Sequence, residues 1–340
     1  MDGKAPAVVR RAMGQIVVAR ALWYVKPGGA ELKTERLEPP RTGEARVKTL
    51  FSLISRGTER LVAHDEVPES EWKTMRAPLQ VGNFPFPVKY GYSAAGVVTA
   101  GSETLVGKTV FCLHPHQDFF QVPESKLLAV PDGIPARRAT LAATMETALN
   151  AHWDAGTGPG DKILVIGAGV VGLLTAYLAK RIAGGNVTIC DIDPGLAELA
   201  AKLGLRFSLA SEAPADNRLI FHTSASAAGL QTAIENSAFE ARIIEMSWYG
   251  AKPVSLQLGG AFHSRQLTIA ASQVGHVAPA RRAAFTHRDR LALALSLLDD
   301  PALDTLVAGD IAFDEVPGRL SEIFSHSTTG LAPVIRYPEN

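Results

Sequence analysis

The sequence predicts an α/β protein in which a β-rich first half precedes a doubly wound parallel sheet. Three observations carry this. Short apolar or alternating runs at 16–19, 45–54, 93–100, 109–113 and 119–122 are separated by turn-forming clusters such as Glu38-Pro39-Pro40-Arg41 and Pro123-Glu124-Ser125, the pattern of short strands. From about residue 136 the texture changes to an Ala-rich helical stretch at 136–153. Strands predicted at 162–166, 186–190, 218–222, 241–246 and 267–271 then alternate with helical segments, which argues for βαβ units. A glycine-rich turn stands at the front of that alternation, directly after its first strand. Further on, a helix is expected over 288–298 and a last strand over 332–336.

Composition sets the outer limits. A chain of 340 residues exceeds the usual single core, so two domains are expected. With 46% hydrophobic and 20% charged residues the chain is an ordinary globular one, not a disordered or fibrous one. Lys+Arg and Asp+Glu both total 34, so the formal charge is zero; a nucleic-acid partner is not expected. The group Arg281, Arg282, Arg288 and Arg290 has Asp289 among it and reads as a solvated helix face. Cys112 and Cys190 are the two cysteines, too few for a disulfide framework or a four-cysteine zinc site. Arg10 and Arg11 near the N-terminus lack a following apolar core, so no signal peptide is read. The uncharged run 163–179 has three glycines at its front, and a strand, turn and buried helix account for it better than a membrane span. A soluble cytoplasmic protein is expected.

The turn reads Gly167-Ala168-Gly169-Val170-Val171-Gly172 after the strand 162–166, and it opens a helix running to about Ile182. An acid, Asp191, stands nineteen residues beyond the last glycine, at the end of the next strand. Together these form the dinucleotide-binding, or Rossmann, context. Gly167 makes the turn, Gly169 admits a pyrophosphate to the backbone, and Gly172 lets helix and strand pack closely. N–H groups near Val170 and Val171 face the phosphates at the positive helix end. Asp191 would accept the adenosine ribose hydroxyls and repel a 2′-phosphate, and Ile192 follows it rather than a basic residue. NAD is therefore the expected cofactor. Thr223 and Ser224 follow the fourth strand of this half and Ser247 the fifth. These carboxyl ends line the ligand crevice of such a sheet. Trp248, Tyr249 and Phe262 stand nearby as either core or pocket wall.

Several stretches then resemble the medium-chain dehydrogenase/reductase superfamily. Ile54-Ser55-Arg56-Gly57-Thr58-Glu59 stands where zinc alcohol dehydrogenases have Cys-Gly-Thr-Asp. Gly91-Tyr92-Ser93-Ala94-Ala95-Gly96-Val97-Val98 resembles their Gly-His-Glu-x-x-Gly-x-Val, and Gly107-Lys108-Thr109-Val110 their Gly-Asp-x-Val. Val122-Pro123 through Pro131-Asp132-Gly133 is similar to the stretch ahead of their cofactor domain. Within the superfamily, Ser-x-Ile-Ser-x-Gly-Thr-Glu is most similar to the branch containing hydroxyethyl bacteriochlorophyllide a dehydrogenase. The likeness covers essentially the whole chain. It implies a GroES-like substrate domain over 1–146 and 281–340, a Rossmann NAD-binding domain over 147–280, and a homodimer, for which the apolar segment 254–260 would supply an edge.

The departures bear on the chemistry. The family's first catalytic zinc ligand falls on Arg56, its His-Glu pair on Tyr92 and Ser93, and its third ligand near Ala143 and Thr144. None of these can hold zinc as the family does, and the structural-zinc lobe expected after Val110 is missing. Cys112, His114 and His116 are spaced by two, but Pro115 interrupts them and no fourth partner is evident; no metal is expected. By resemblance Thr58 falls on the family's proton-relay hydroxyl, Tyr92 faces the same pocket, and Glu59 falls on the second-shell acid, pairing with Arg56 or Arg60. Thr147 matches a threonine that approaches the nicotinamide, and Glu146 stabilises a helix start. His64, His114 and His116 are alternative acids, each read first as a surface or structural histidine. The expectation is a zinc-independent enzyme moving a hydride between NAD(H) and the alcohol/carbonyl pair of a small molecule, including one on a bulky ring. The rivals are an NADPH-dependent enone or quinone reductase and a non-catalytic NAD(H)-binding protein.

Overall fold

A computed structural model of the chain describes residues 15–307, 309–325 and 331–338. Arg10 and Arg11, read above for a targeting signal, lie outside the described residues. The described residues up to 143 and from 307 onward form one compact unit, and 144–306 a second.

In the first unit, β1 (Val17–Lys26) and β2 (Gly29–Leu37) form an antiparallel hairpin with Val17 opposite Leu37. Gly28 supplies the positive φ of its turn, +66°. β1 runs seven residues beyond the predicted 16–19, and β2 was not predicted. The charged residues of β2, such as Glu31, Lys33 and Glu35, leave no apolar face to read, and only Pro27-Gly28-Gly29 marks the turn. β3 (Glu44–Leu53) leads into helix α1 (Arg56–Ala63). Then come β4 (Val81–Gly82), β5 (Val88–Lys89), β6 (Ala94–Ala100), β7 (Thr109–Cys112), β8 (Phe119–Pro123) and β9 (Leu128–Ala129). One sheet has the order β2-β1-β5-β4. In the other, β3 pairs β6 and β8, β7 lies between β6 and β9, and the chain's end contributes strands Asp310–Ala312 and Val334–Arg336 beside β3. Ala45, Val47, Val98, Val110, Phe120 and Val122 alternate inward from its strands to make a core. A short helix, α2 (Ala136–Ala139), closes this unit, and the helix predicted over 136–153 is broken after it.

The second unit begins with most of α3 (Ala142–Ala155). It continues β10 (Ile163–Ile166), α4 (Val170–Ala183), β11 (Val187–Asp191), α5 (Ala197–Lys202), β12 (Arg206–Leu209), β13 (Asn217–His222), α6 (Ala227–Glu235), β14 (Ser237–Glu245), β15 (Thr268–Ala271) and α7 (His287–Ser296). The sheet order is β12-β11-β10-β13-β14-β15, every pair parallel. All four residues of β10 are buried, as a central parallel strand covered on both faces requires. Leu164, Ile166, Ile220 and Ile243 meet Leu230, Ala233 and Ile234 of α6 in one core. The order reverses between β10 and β13, which places a crevice at their carboxyl ends. Among the described residues no helix is long and apolar enough to cross a membrane.

One expectation changes here. The stretch 281–306 belongs to the second unit, because Arg290 of α7 reaches Glu146 and Asn150 of α3. The segment 254–260 forms no strand; Val254 and Leu256 pack in part against this unit's own core, while Leu258 is exposed.

Candidate active site and nucleotide site

In the first unit, Ser55 precedes α1 and places Thr58 and Glu59 in its first turn. Glu59 is wholly buried. Its Oε1 accepts the Ser55 amide at 2.8 Å, and its Oε2 accepts the Tyr24 hydroxyl at 3.0 Å and His116 Nε2 at 2.9 Å. His116 Nδ1 lies 2.8 Å from Ser52 Oγ, which lies 2.8 Å from the Tyr337 hydroxyl. A continuous polar chain thus crosses the interior from Tyr24 to Tyr337. Gly91, at φ +114°, makes room for it, since a Cβ there would stand 2.7 Å from His116 Nε2.

Tyr92 adjoins this chain. Its hydroxyl hydrogen-bonds with Ser55 and Thr58, and burial followed by the Glu59 charge pushes its pKa up to about 12. Its ring meets Tyr90 edge to face, with centroids 6.0 Å apart. The phenol is half-buried and remains a proton donor at neutral pH. Thr58, Glu59 and Tyr92, the residues expected to act, therefore come together.

Their partners differ from expectation. Glu59 does not pair with Arg56 or Arg60. Arg60 binds Glu66 at 3.1 Å, and Arg56 Nε donates to the Ile323 carbonyl at 3.0 Å. The partner of Glu59 is His116, a wholly buried histidine in keeping with its structural reading. The signal was weak, since the two are 57 positions apart. His114 stacks on Phe120 with centroids 4.1 Å apart, and burial drives its pKa down to about 3. Cys112 is buried, and desolvation pushes its thiol up to about 12. His64 Nδ1 lies 2.9 Å from the Arg60 carbonyl oxygen. No three acidic, His or Cys side chains converge among the described residues. Ser93, at the second position of the family's His-Glu pair, donates its hydroxyl to the Thr140 carbonyl.

In the second unit, the turn after β10 has the predicted form. Gly167 has φ +103°, and Thr223 Oγ1 donates to the Ile166 and Gly167 carbonyls at 3.0 and 2.9 Å. A Cβ on Gly172 would stand 1.8 Å from the Gly167 carbonyl oxygen, so helix and turn are in backbone contact. A Cβ on Gly169 would meet nothing within 4 Å. Gly169 is the N-cap of α4 and supplies no side-chain cap. The first-turn N–H groups, around Val170 and Val171, are thus presented to an anion. Asp191 Oδ2 accepts the Ala168 amide at 2.7 Å, and Oδ1 accepts the Ile192 and Asp193 amides at 2.7 and 3.1 Å. The acid therefore also braces the turn. Beside it Ile192 is 86% exposed.

Ser247 Oγ accepts the Ala225 amide at 3.0 Å, tying the ends of β13 and β14 together beyond Thr223 and Ser224. Thr147 is half-buried in α3. Glu146 does not open that helix, which starts at Ala142. It binds Arg290 Nε at 3.0 Å, and burial raises its pKa although Arg290 opposes this. Arg290 is 1% exposed, so the basic group at 281–290 is not one solvated face. Phe262 packs against the core of the sheet, whereas the Tyr249 hydroxyl donates to Glu245 Oε2 at 3.0 Å. His222 and Glu245, the last residues of β13 and β14, were missed; a polar residue ending an otherwise apolar strand was the available signal.

Comparison with known proteins places this geometry. No family model matches the chain. It is 32% identical over 89 residues to the L-threonine 3-dehydrogenase of a Chelativorans strain, a match covering 26% of each chain. It is 30% identical over 108 residues to D-xylulose reductase A of Aspergillus niger, covering 30% of each. The matches thus span about a quarter to a third of these relatives' length. Solved structures match over nearly the full length. L-idonate 5-dehydrogenase from Escherichia coli superposes with a TM-score of 0.76 at 13% identity, covering 95% of this chain and 99% of that one. A short chain alcohol dehydrogenase from E. coli complexed with NADH gives 0.74 at 17%, covering 94% and 99%. Benzyl alcohol dehydrogenase from Acinetobacter calcoaceticus gives 0.72 at 16%, covering 95% and 100%. The chain has the fold of these dehydrogenases: a GroES-like β-rich unit and a Rossmann unit.

Proposed function

We propose that this chain is an NAD-dependent oxidoreductase that interconverts an alcohol and its carbonyl compound without zinc. The observation that carries the reading is the turn Gly167–Gly172 closed by Asp191. Its residues fit a dinucleotide: Gly169 leaves its Cβ position open, and α4 offers uncapped amides for the pyrophosphate. The Asp191 carboxylate would take the adenosine ribose hydroxyls and disfavour a 2′-phosphate, while exposed Ile192 gives the base an apolar neighbour. Val170 and Val171 would donate backbone amides, and Thr147, Thr223, Ser224 and Ser247 would line the nicotinamide side. The bound nicotinamide supplies the hydride.

In the first unit Tyr92 would donate a proton to the substrate oxygen, with Thr58 holding the phenol in place and Glu59 fixing α1 from beneath. Residue chemistry supports zinc independence. At the family's ligand positions Arg56 carries a positive charge, Ser93 is committed to a carbonyl, and Tyr92 is a protonated phenol. The named relatives act on threonine and xylulose, which favours a small secondary alcohol as substrate class.

Fluorescence titration of the protein with NADH and NADPH, beside elemental analysis for zinc, tests the reading. Tight NADH binding, weak NADPH binding and no zinc are expected. A preference for NADPH would favour an enone or quinone reductase, NADH binding without turnover on a carbonyl panel a non-catalytic binder, and stoichiometric zinc would overturn zinc independence.

A further inference from the structure

We propose that Ser224, His222 and Glu245 form a nucleophile–base–acid triad that makes the second unit an acyl-ester hydrolase at the carboxyl edge of its sheet. Ser224 Oγ lies 2.7 Å from His222 Nε2, and His222 Nδ1 lies 2.7 Å from Glu245 Oε2. This is the linear order in which a serine is activated by an imidazole that a carboxylate orients, an arrangement recognised on unrelated folds by geometry and not by sequence position.

The carboxylate sets the proton's place on the imidazole. Glu245 accepts, so the proton resides at Nδ1 and points to Glu245, and Nε2 is left to accept from the Ser224 hydroxyl. Ser226 Oγ lies 3.0 Å from Ser224 Oγ and itself accepts the Gly229 amide at 3.0 Å. The Ser247 amide at 2.8 Å and the Tyr249 hydroxyl at 3.0 Å hold the two carboxylate oxygens. Tyr249 stays protonated, because burial and the Glu245 charge raise its pKa. His222 is wholly buried, whereas Ser224 is partly exposed. The base is locked and the nucleophile is accessible.

Two further features favour reaction at Ser224. The next residue, Ala225, is held at φ +51°, a conformation that non-glycine residues seldom adopt and that collects at functional sites. The N-terminus of α6 abuts the hydroxyl, since a Cβ on Gly229 would stand 2.2 Å from Ser224 Oγ. The helix dipole favours negative charge developing on an acyl oxygen held beside that hydroxyl.

The reaction balances without redox. Ser224 Oγ bonds to the acyl carbon as its proton moves to His222 Nε2, and the ester's alcohol leaves with that proton. Water then adds to the acyl carbon, giving its proton to His222; the carboxylic acid departs and Oγ regains its proton. Small activated esters fit the class, because Ser224 is only partly exposed and admits a compact acyl group most readily.

The test is labelling of the nucleotide-free full-length protein with a fluorophosphonate probe, mapped by peptide mass spectrometry, together with release of nitrophenol from p-nitrophenyl acetate. The expected result is an adduct on Ser224, hydrolysis that disappears in Ser224→Ala, and labelling about 100-fold slower in His222→Gln. Wild-type protein without an adduct at Ser224, under conditions that label an ordinary serine hydrolase, overturns the triad; so does equal labelling of a folded His222→Gln. If neither variant folds, the site of the wild-type adduct decides. Because no nucleotide is present, this outcome is independent of the NADH titration.

Discussion

His116 meets Glu59 at 2.9 Å with both side chains at 0% exposure. A buried histidine–carboxylate contact of this kind costs desolvation on both sides, and the further bonds to Tyr24, Ser55 and Ser52 offset part of that cost. The contact anchors α1 from below, and α1 carries Thr58 toward Tyr92. Removing one partner leaves the other unpaired inside the first unit. Glu59→Ala is therefore expected to lose about 3–5 kcal/mol of unfolding free energy in urea. The double variant Glu59→Met with His116→Leu should lose less than the two single changes summed. Additive losses would mean that the two groups are not coupled.

The two glycines of the turn separate stability from binding. Gly172→Ala must displace the Gly167 carbonyl that its Cβ would meet at 1.8 Å, and a cost of about 3 kcal/mol is expected in thermal unfolding. Gly169→Ala has open space for its Cβ, so its stability should stay within about 1 kcal/mol of the parent. Its methyl group would occupy the approach of a pyrophosphate, and NADH affinity should fall by about 10-fold or more. Unchanged NADH affinity in Gly169→Ala would remove the phosphate role of the turn.

Acid lability follows from two buried imidazoles. Burial lowers His152 from its ordinary 6.5 to about 4 and His114 to about 3. Their folded-state values lie below the unfolded ones, so the unfolded chain binds more protons throughout the intervening range and stability falls as pH falls. Stability is expected to hold above about pH 6.5 and to lose roughly 2 kcal/mol through each histidine by about pH 5. Urea unfolding at stepped pH measures this, and His152→Gln should flatten the slope by one proton's share.

Tyr92→Phe tests the proton donor. The ring still packs on Tyr90, so folding should be preserved. Turnover of the alcohol/carbonyl pair should fall by about 100-fold or more, with NADH affinity unchanged. Parent-like turnover would move the donor role to Thr58 or to water.

The second unit was the more legible in sequence because its signals are local. A β-branched strand, three spaced glycines and an acid at the end of the next strand mark a candidate nucleotide turn within about 30 consecutive residues. The first unit's chemistry was legible only in part. Thr58 and Glu59 stood in a recognisable segment, yet His116 joins them across 57 positions, and nothing local to its loop marks that partner. Arg290 misled for a similar reason. An arginine flanked by charges reads as solvated, and its burial depends on Glu146, 144 positions earlier. Strand β2 escaped because a wet hairpin partner carries no apolar alternation.

The strand Val334–Arg336 lies against Phe51–Leu53, so the sheet that β3 begins is completed by the last of the described strands. During synthesis, the segment bearing Glu59 and His116 leaves the ribosome long before its closing strand exists. The second unit runs to residue 306, so it is whole in sequence before that strand emerges. The unit begun first is therefore the last to be whole in sequence.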